Sequence, residues 1–262
     1  MDEQRVSDVS WQAGVIAAVR EAGSVIMEVY SGDFEVRGKA DESPVTMADE
    51  RAEAVLAAAL AKLAPGVPIV AEEAASAGRV PQVGRWFWLV DPLDGTKEFI
   101  SRNGEFTVNV ALVCDGEPVF GVVLAPAIGR LYVGHAGHGA YLEDAGGRRS
   151  IRCRPVPEGG LVVVASRSHG DAAALDAFLA GRKVARTTSA GSSLKLCLVA
   201  TGEADMYPRL GRTMEWDIAA GHAVLAAAGG SVVTVDGVPL RYGKPGFDNP
   251  HFVAAGLGPD RP

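Results

Sequence analysis

The hydrophobic positions near the start of the chain follow a helical period. Valine and isoleucine recur about every 3.6 residues over 9–29, with Gln12 as the polar exception, which predicts a long amphipathic helix. A second helix is expected to begin near Thr46 and to run to Leu63, because Pro65-Gly66 then ends the pattern. Two helices therefore precede the first predicted strand.

Apolar runs of strand length follow these helices. The predicted strands of this half lie at 67–71, 86–90, 107–113, 118–124, 131–135 and 139–142, and Asp115-Gly116 predicts a hairpin turn. After residue 160 the pattern alternates, with strands expected at 161–165, 183–186, 205–207 and 231–234 and helices at 171–179, 192–200 and 216–228. A stretch rich in Arg, Pro and Gly, 148–160, separates the two patterns. We therefore expect an N-terminal α+β subdomain over 1–154 and a C-terminal α/β subdomain over 155–262.

Composition and charge narrow the class of protein. The 262 residues are 48% hydrophobic and 22% charged, which is typical of globular proteins. A net charge of −7 argues against binding to a nucleic acid polymer, which needs a basic surface. The apolar stretches are far shorter than the roughly 18–20 residues of a membrane span, and residues 1–20 lack the apolar core of a secretory signal. We expect a cytoplasmic protein without a transmembrane segment, and leave open homodimer formation and peripheral association with the inner membrane.

The most informative acidic residues follow the predicted strand 86–90. Asp91 stands at its end, Pro92 should stop regular strand pairing, and Asp94 follows across a glycine turn before Thr96 opens a short helix. Carboxylates are the ligands that hard divalent cations prefer, and the N–H groups of a helix start bind phosphate. Together they indicate a site for a metal and a phosphate. The alternative is an Asp-Pro-x-Asp-Gly turn with a capping role.

Other acids also stand at the ends of predicted elements. Glu72-Glu73 ends a strand and Asp217 begins a helix, although a solvated loop and a favourable helix-dipole interaction would explain them equally well. Asp49 completes a capping box with Thr46, and its alternative role is to orient the hydroxyl of another residue. Convergence of these ends on one pocket would make a strongly acidic site.

Taken together, these segments resemble the inositol monophosphatase superfamily of magnesium-dependent, lithium-sensitive phosphatases. The motifs occur in family order, as Ser43-Pro44-Val45-Thr46-x-Ala48-Asp49, Pro68-Ile69-Val70-Ala71-Glu72-Glu73, Trp88-Leu89-Val90-Asp91-Pro92-Leu93-Asp94-Gly95-Thr96 and Glu215-Trp216-Asp217-x-Ala219-Ala220-Gly221. The resemblance covers nearly the whole chain. It implies a layered αβαβα sandwich of the inositol monophosphatase and fructose-bisphosphatase kind.

Further motifs resemble the 3'(2'),5'-bisphosphate nucleotidase branch of the CysQ type. They are the segments 95–100, 103–111, 191–195 and 202–209, with Lys97-Glu98 where inositol monophosphatases usually have Thr-Asn. This branch implies hydrolysis of 3'-phosphoadenosine 5'-phosphate, a small phosphorylated nucleotide, to AMP and phosphate. The alternatives are an inositol-1-phosphate phosphatase and, from another class, a catalytically silent metal-binding regulatory protein.

The resemblance also implies roles for single residues. Two or three Mg²⁺ ions are expected on the side chains of Glu72, Asp91, Asp94 and Asp217 and on the carbonyl of Leu93, with Glu73 supporting them from outside. Leu93, Asp94 and Asp217 are also expected to contact substrate. The N–H groups of Gly95 and Thr96 are expected to hold the phosphate, and Asp49 and Thr96 to orient the attacking water.

The second phosphate of such a substrate needs a cationic partner. Lys195 and Arg209 are the candidates, with Ser192 and Ser193 as hydrogen-bond donors. The alternative for both basic side chains is an ordinary solvated position on the surface.

Overall fold

A computed structural model describes residues 9–38, 44–167 and 172–258. Its helices are α1 (Ser10–Ser31), α2 (Met47–Leu63), α3 (Glu72–Ser76), α4 (Thr96–Ile100), α5 (Ala172–Leu179), α6 (Leu194–Ala200) and α7 (Glu215–Ala227). Its strands are β1 (Val36–Gly38), β2 (Pro44–Thr46), β3 (Ile69–Ala71), β4 (Trp86–Asp94), β5 (Thr107–Cys114), β6 (Glu117–Ala125), β7 (Arg130–His135), β8 (Gly139–Asp144), β9 (Gly147–Ile151), β10 (Leu161–Ser166), β11 (Val184–Ala190), β12 (Met206–Arg209), β13 (Ser231–Thr234) and β14 (Phe252–Ala255). Ser43 of the first motif and residue 171 of a predicted helix lie outside the described residues.

Two large sheets form the frame of the molecule. The first has seven strands in the order β3-β4-β5-β6-β7-β8-β9, antiparallel except for the β3–β4 pair. The second has five strands in the order β11-β10-β12-β14-β13, with β10 parallel to both of its neighbours. The strands β1 and β2 form a separate two-stranded sheet.

Both faces of the seven-stranded sheet are covered by helices. Trp88 and Val90 of β4 pack into the cluster that contains the buried sides of α1 and α2, whereas Phe87 and Leu89 pack into the cluster that contains α6 and α7. This explains why residues 86–90 of β4 are continuously apolar, because a segment buried on both faces needs apolar residues at every position. The second cluster continues into the five-stranded sheet, and α5 packs on the outer face of that sheet. The order α-β-α-β-α confirms the predicted layered fold.

The hairpin between β5 and β6 also follows the prediction. Its turn residues, Asp115 and Gly116, have φ values of 50° and 76°. Two consecutive residues with positive φ match the right-handed twist of the flanking strands, which is why Asp-Gly is favoured there.

Regular pairing stops at Pro92 as predicted, but the strand itself does not end there. β4 continues to Asp94, with Asp91 opposite Asn109 and Asp94 opposite Thr107. One extra residue on β4 is therefore bulged out. Pro92 has no N–H to donate, and the bulge places it where the ladder is already irregular. The ladder therefore resumes at Asp94.

Several elements were not predicted from the sequence. They are the short strands β1 and β2, the short helix α3, the edge strand β9 and the strand β14, which lies between β12 and β13. β14 has only four residues, and such a short apolar run carries little periodic signal. Because β9 completes the first sheet, the connection between the two sheets is 152–160 rather than 148–160. The division of the chain into two subdomains between residues 154 and 155 stays a prediction.

Among the described residues, no helix is both long enough and apolar enough to cross a membrane.

Candidate active site

The end of β4 and the turn after it place two carboxylates side by side. The N–H of Leu93 donates to Oδ1 of Asp91 at 3.0 Å, which tightens the chain between the two acids. Gly95 then has φ 89° and ψ 44°, and a Cβ there would lie 3.3 Å from the carbonyl oxygen of Glu105. Glycine is strongly favoured at this turn, because L residues rarely adopt this backbone conformation and a Cβ would be tightly crowded.

Two further acids reach the same place from neighbouring elements. Ala71 pairs with Val90 in the parallel β3–β4 ladder, so Glu72 follows β3 at the level of Asp91 in β4. Asp217 lies in the first turn of α7, where its Oδ2 accepts the N–H of Met214 at 2.8 Å. The four acids thus come from two adjacent strand ends and one helix start.

These acids line a cavity of about 460 Å³. The predicted residues that line it are Glu72, Asp91, Leu93, Asp94, Gly95, Thr96, Ser192, Ser193, Lys195, Arg209 and Asp217. Glu73 is half-buried and is not among the lining residues. The structure therefore brings eleven of the thirteen predicted site residues to one cavity, with Asp49 directly behind it.

The carboxylates strongly influence one another's protonation. Burial raises the pKa of Asp91 well above its usual range, and repulsion from Glu72, Asp94 and Asp217 raises it further. Burial likewise raises the pKa of Asp217, with Asp94 and Glu72 adding to the effect. The pKa of Asp94 is raised to about 6 by burial, although the positive charge of Lys195 opposes the shift. Crowded carboxylates of this kind favour protons or cations.

Thr96 and Asp49 are in contact. Oγ1 of Thr96 lies 3.3 Å from Oδ1 of Asp49 and 3.3 Å from the carbonyl oxygen of Leu93. The other oxygen of Asp49 accepts the N–H and the hydroxyl of Thr46 at 2.8 and 2.7 Å, and this confirms the predicted capping box. The two interpretations of Asp49 are therefore compatible, because each uses a different carboxylate oxygen.

The segment before α6 also lines the cavity. The N–H of Ser193 donates to Oδ2 of Asp94 at 2.6 Å, and the hydroxyl of Ser193 contacts Asn109 at 2.7 Å and Thr107 at 2.9 Å. Ser192 has a positive φ of 44°, and its buried Oγ has no hydrogen-bond partner. A buried hydroxyl beside a polar cavity is well placed to bind a ligand.

Lys195 and Arg209 are buried, so the solvated alternative is excluded for both. Nζ of Lys195 donates to the carbonyl oxygens of Ala190 and Ser192, and Arg209 donates to the carbonyl oxygen of Arg212 at 2.7 Å. Burial lowers the pKa of Lys195 to about 8, although the negative charge of Asp94 opposes this shift. Both cations therefore line the same cavity as the acids.

The donor set suits a hard divalent cation. Four carboxylates and the Leu93 carbonyl are all oxygen ligands, which Mg²⁺ prefers. Within the described parts of the chain, no three Asp, Glu, His or Cys side chains stand in an arrangement that encloses an ion. The mutual repulsion that adds to the raised pKa values of Asp91 and Asp217 would be relieved by a cation. The chemistry of the residues therefore fits the metal.

Comparison with known proteins places this site in a family. Residues 8–256 match the model of the inositol monophosphatase family. The chain belongs to the inositol monophosphatase family. Proteins named 3'(2'),5'-bisphosphate nucleotidase CysQ from Shigella flexneri and Escherichia coli K12 are each 49% identical to this member, over 91% of its chain and 96% of theirs.

Solved structures agree with this assignment. The crystal structure of CysQ from Bacteroides thetaiotaomicron is 38% identical to this family member, covers 93% of its chain and 96% of its own, and superposes with a TM-score of 0.79. An inositol monophosphatase from Anabaena is 27% identical, covers 91% and 87%, and superposes with a TM-score of 0.70. The predicted resemblance to the family and its CysQ branch is confirmed.

Sequence reasoning assigned no role to several residues that support the site of this family member. Thr107 and Asn109 hold Ser193, and Glu53 on α2 accepts the N–H groups of Glu73 and Ala74. The signal for the first two was two polar residues at alternate positions of an apolar strand, which places both on one face. For Glu53 no signal was available, because its partners are 20 and 21 residues away in the sequence.

Proposed function

We propose that this protein is a Mg²⁺-dependent 3'(2'),5'-bisphosphate nucleotidase, which hydrolyses 3'-phosphoadenosine 5'-phosphate to AMP and phosphate. The observation that carries the proposal is a single cavity lined by four carboxylates and two buried cations. The acids suit the ions that an anionic reacting group needs, and the cations suit a second anionic group on the same substrate. The CysQ-named relatives support the nucleotide as that substrate.

Mg²⁺ bound by Glu72, Asp91, Asp94, Asp217 and the Leu93 carbonyl would neutralise phosphate charge and lower the pKa of water. We assign the reacting phosphate to the N–H groups of Gly95, the N-cap residue of α4, and Thr96, its first residue. The Leu93 carbonyl also contacts the Thr96 hydroxyl, so this turn links the metal ligands to the phosphate contacts. The number of bound ions, two or three, stays a prediction. The cytoplasmic location of the protein also stays a prediction.

Thr96 and Asp49 are proposed to orient the attacking water. The Thr96 hydroxyl has one hydrogen to donate, and Asp49 offers Oδ1 to receive it at 3.3 Å. A lone pair of Oγ1 then remains to accept a hydrogen bond from the water. Because Oδ2 of Asp49 is fixed by Thr46, the carboxylate is held in place before substrate arrives.

The second phosphate is assigned to Lys195 and Arg209, with Ser192 and Ser193 as donors. A charged side chain that is already buried loses little solvation when an anion replaces its remaining water. The buried Oγ of Ser192, which lacks a partner, can donate without breaking another hydrogen bond. These four residues would therefore distinguish a bisphosphate from a substrate with one phosphate.

A phosphate-release panel with and without Mg²⁺ tests the proposal. We expect Mg²⁺-dependent release, inhibition by lithium, and a higher kcat/KM for 3'-phosphoadenosine 5'-phosphate than for inositol-1-phosphate. Preference for inositol-1-phosphate would instead support the phosphatase alternative. Release from no monoester would support the catalytically silent, metal-binding alternative.

A further inference from the structure

We infer that Glu53 is a positioning residue for the metal site, which sets the direction of the Glu72 side chain from a different helix. This inference rests on the proposed function, because it takes Glu72 as a metal ligand. The contact that carries it is a pair of hydrogen bonds. Oε2 of Glu53 accepts the N–H of Glu73 at 2.7 Å, and Oε1 accepts the N–H of Ala74 at 2.9 Å.

The two N–H groups need a partner from outside their own helix. The first N–H groups of any helix have no acceptor within it, and Ala71 at the N-cap position makes no side-chain hydrogen bond to them. Glu53 supplies both acceptors with one carboxylate. Two bonds to consecutive N–H groups fix the plane of the turn as well as its position.

Glu72 depends on this turn for its direction. It is the first residue of α3, a helix of only five residues, which is too short to be stable without tertiary contacts. The β3–β4 ladder sets the level of Glu72 relative to Asp91, but the ladder ends at Ala71. The next residues along the chain are those that Glu53 binds, so Glu72 is held between the ladder and the Glu53 contact.

The helix that carries Glu53 also carries Asp49. The two acids are four residues apart on α2 and therefore lie on the same face of that helix. Asp49 reaches Thr96 after β4, and Glu53 reaches the turn after β3. One helix face thus contacts both strand ends that deliver the predicted metal ligands.

The test is Mg²⁺ binding by the full chain in calorimetric titrations without substrate, together with the Mg²⁺ dependence of phosphate release. Glu53→Gln keeps the shape of the side chain but places an NH₂ group against one of the two N–H donors. We expect the variant to bind Mg²⁺ about tenfold more weakly, as is typical when a residue that supports a metal ligand is changed. Its kcat at saturating Mg²⁺ should approach that of the wild type, since no reacting group has been removed.

Glu28→Gln is the matched control, because Glu28 is an exposed acid whose partner, Arg51, lies on the same helix as Glu53. It should bind Mg²⁺ as the wild type does. Unchanged Mg²⁺ affinity in Glu53→Gln would overturn the inference. If that variant also melted at a lower temperature, the role of Glu53 would be purely structural. A wild type that binds no Mg²⁺ would overturn both this inference and the proposed function, whereas an active wild type with an unaffected Glu53→Gln variant would overturn this inference alone.

Discussion

The N–H of Ser193 lies 2.6 Å from Oδ2 of Asp94, although the two residues are 99 positions apart in the chain. This hydrogen bond joins the turn after β4 to the segment before α6. The acidic turn and the segment that leads into Lys195 are therefore held together by a direct backbone-to-carboxylate contact. Asp94 also lies beside Lys195, whose positive charge opposes the rise in the pKa of Asp94.

Replacement of Asp94 by asparagine should remove activity while the fold is kept. Asparagine retains an oxygen that can accept the Ser193 N–H, but it lacks the charge of a metal ligand. We expect phosphate release to fall by more than about 100-fold, since changes outside the ligand set alone cost 10–100-fold. Phosphate release and circular dichroism would check this. Asp236→Asn removes the same charge at an exposed position and should be neutral; turnover of Asp94→Asn at the wild-type rate would refute the metal assignment.

The Asp94→Asn variant should also reveal that the acidic cluster lowers the stability of the folded protein in a pH-dependent way. The folded-state pKa of Asp94 is raised from 3.8 to about 6, so between these values the folded protein binds more protons than the unfolded chain. The contribution of Asp94 to the free energy of unfolding of the protein therefore falls as pH rises from about 4 to about 6.

Buried His135 and His222, with pKa values lowered to about 4 and about 3, act in the opposite direction over part of this range. The comparison between wild type and Asp94→Asn cancels their contribution. Without Mg²⁺, the stability advantage of Asp94→Asn in urea unfolding should grow from pH 4 to pH 6. An advantage that is constant or shrinks over this range would contradict the shift.

Gly134 is required for the packing of α7 on the seven-stranded sheet. A Cβ at Gly134 would lie 2.4 Å from the Cα of Val224 and 2.7 Å from the carbonyl oxygen of Ala223. Because backbone atoms cannot move aside locally, we expect Gly134→Ala to lower the free energy of unfolding by about 1–3 kcal/mol. Gly84→Ala is the control, since a Cβ added at Gly84 would have no neighbouring atom within 4 Å. Equal denaturation midpoints for the two variants would show that α7 shifts without cost.

Lys195→Gln should weaken the use of bisphosphate substrates selectively. Loss of a charge-assisted hydrogen bond costs about 1.5–3 kcal/mol, which corresponds to a tenfold or larger fall in kcat/KM. The fall should be larger for 3'-phosphoadenosine 5'-phosphate than for 3'-AMP, which lacks the second phosphate. Steady-state kinetics would measure the ratio, with the exposed Lys183→Gln as control. The same fall for both substrates would mean that Lys195 acts only through Asp94.

The sequence alone determined the elements with strong local signals. The period of 3.6 predicted α1 and α2, and the apolar runs predicted β4 to β8, because burial repeats with the geometry of each element. The order of acidic motifs also predicted the family, since glycine, proline and carboxylates at fixed spacing specify the turn after β4. These features lie within a few residues of one another, and this is why they are readable without a structure.

Only the tertiary structure decided how distant segments meet. It showed that β4 passes Pro92 through a bulge, that Lys195 and Arg209 are buried rather than solvated, and that Glu53 binds the turn after β3. Each of these depends on partners far away in the sequence: the strand β5, the cavity wall and a helix 20 residues earlier. Local periodicity carries no information about such partners, because burial and hydrogen bonding across long separations follow from the packing of the whole chain.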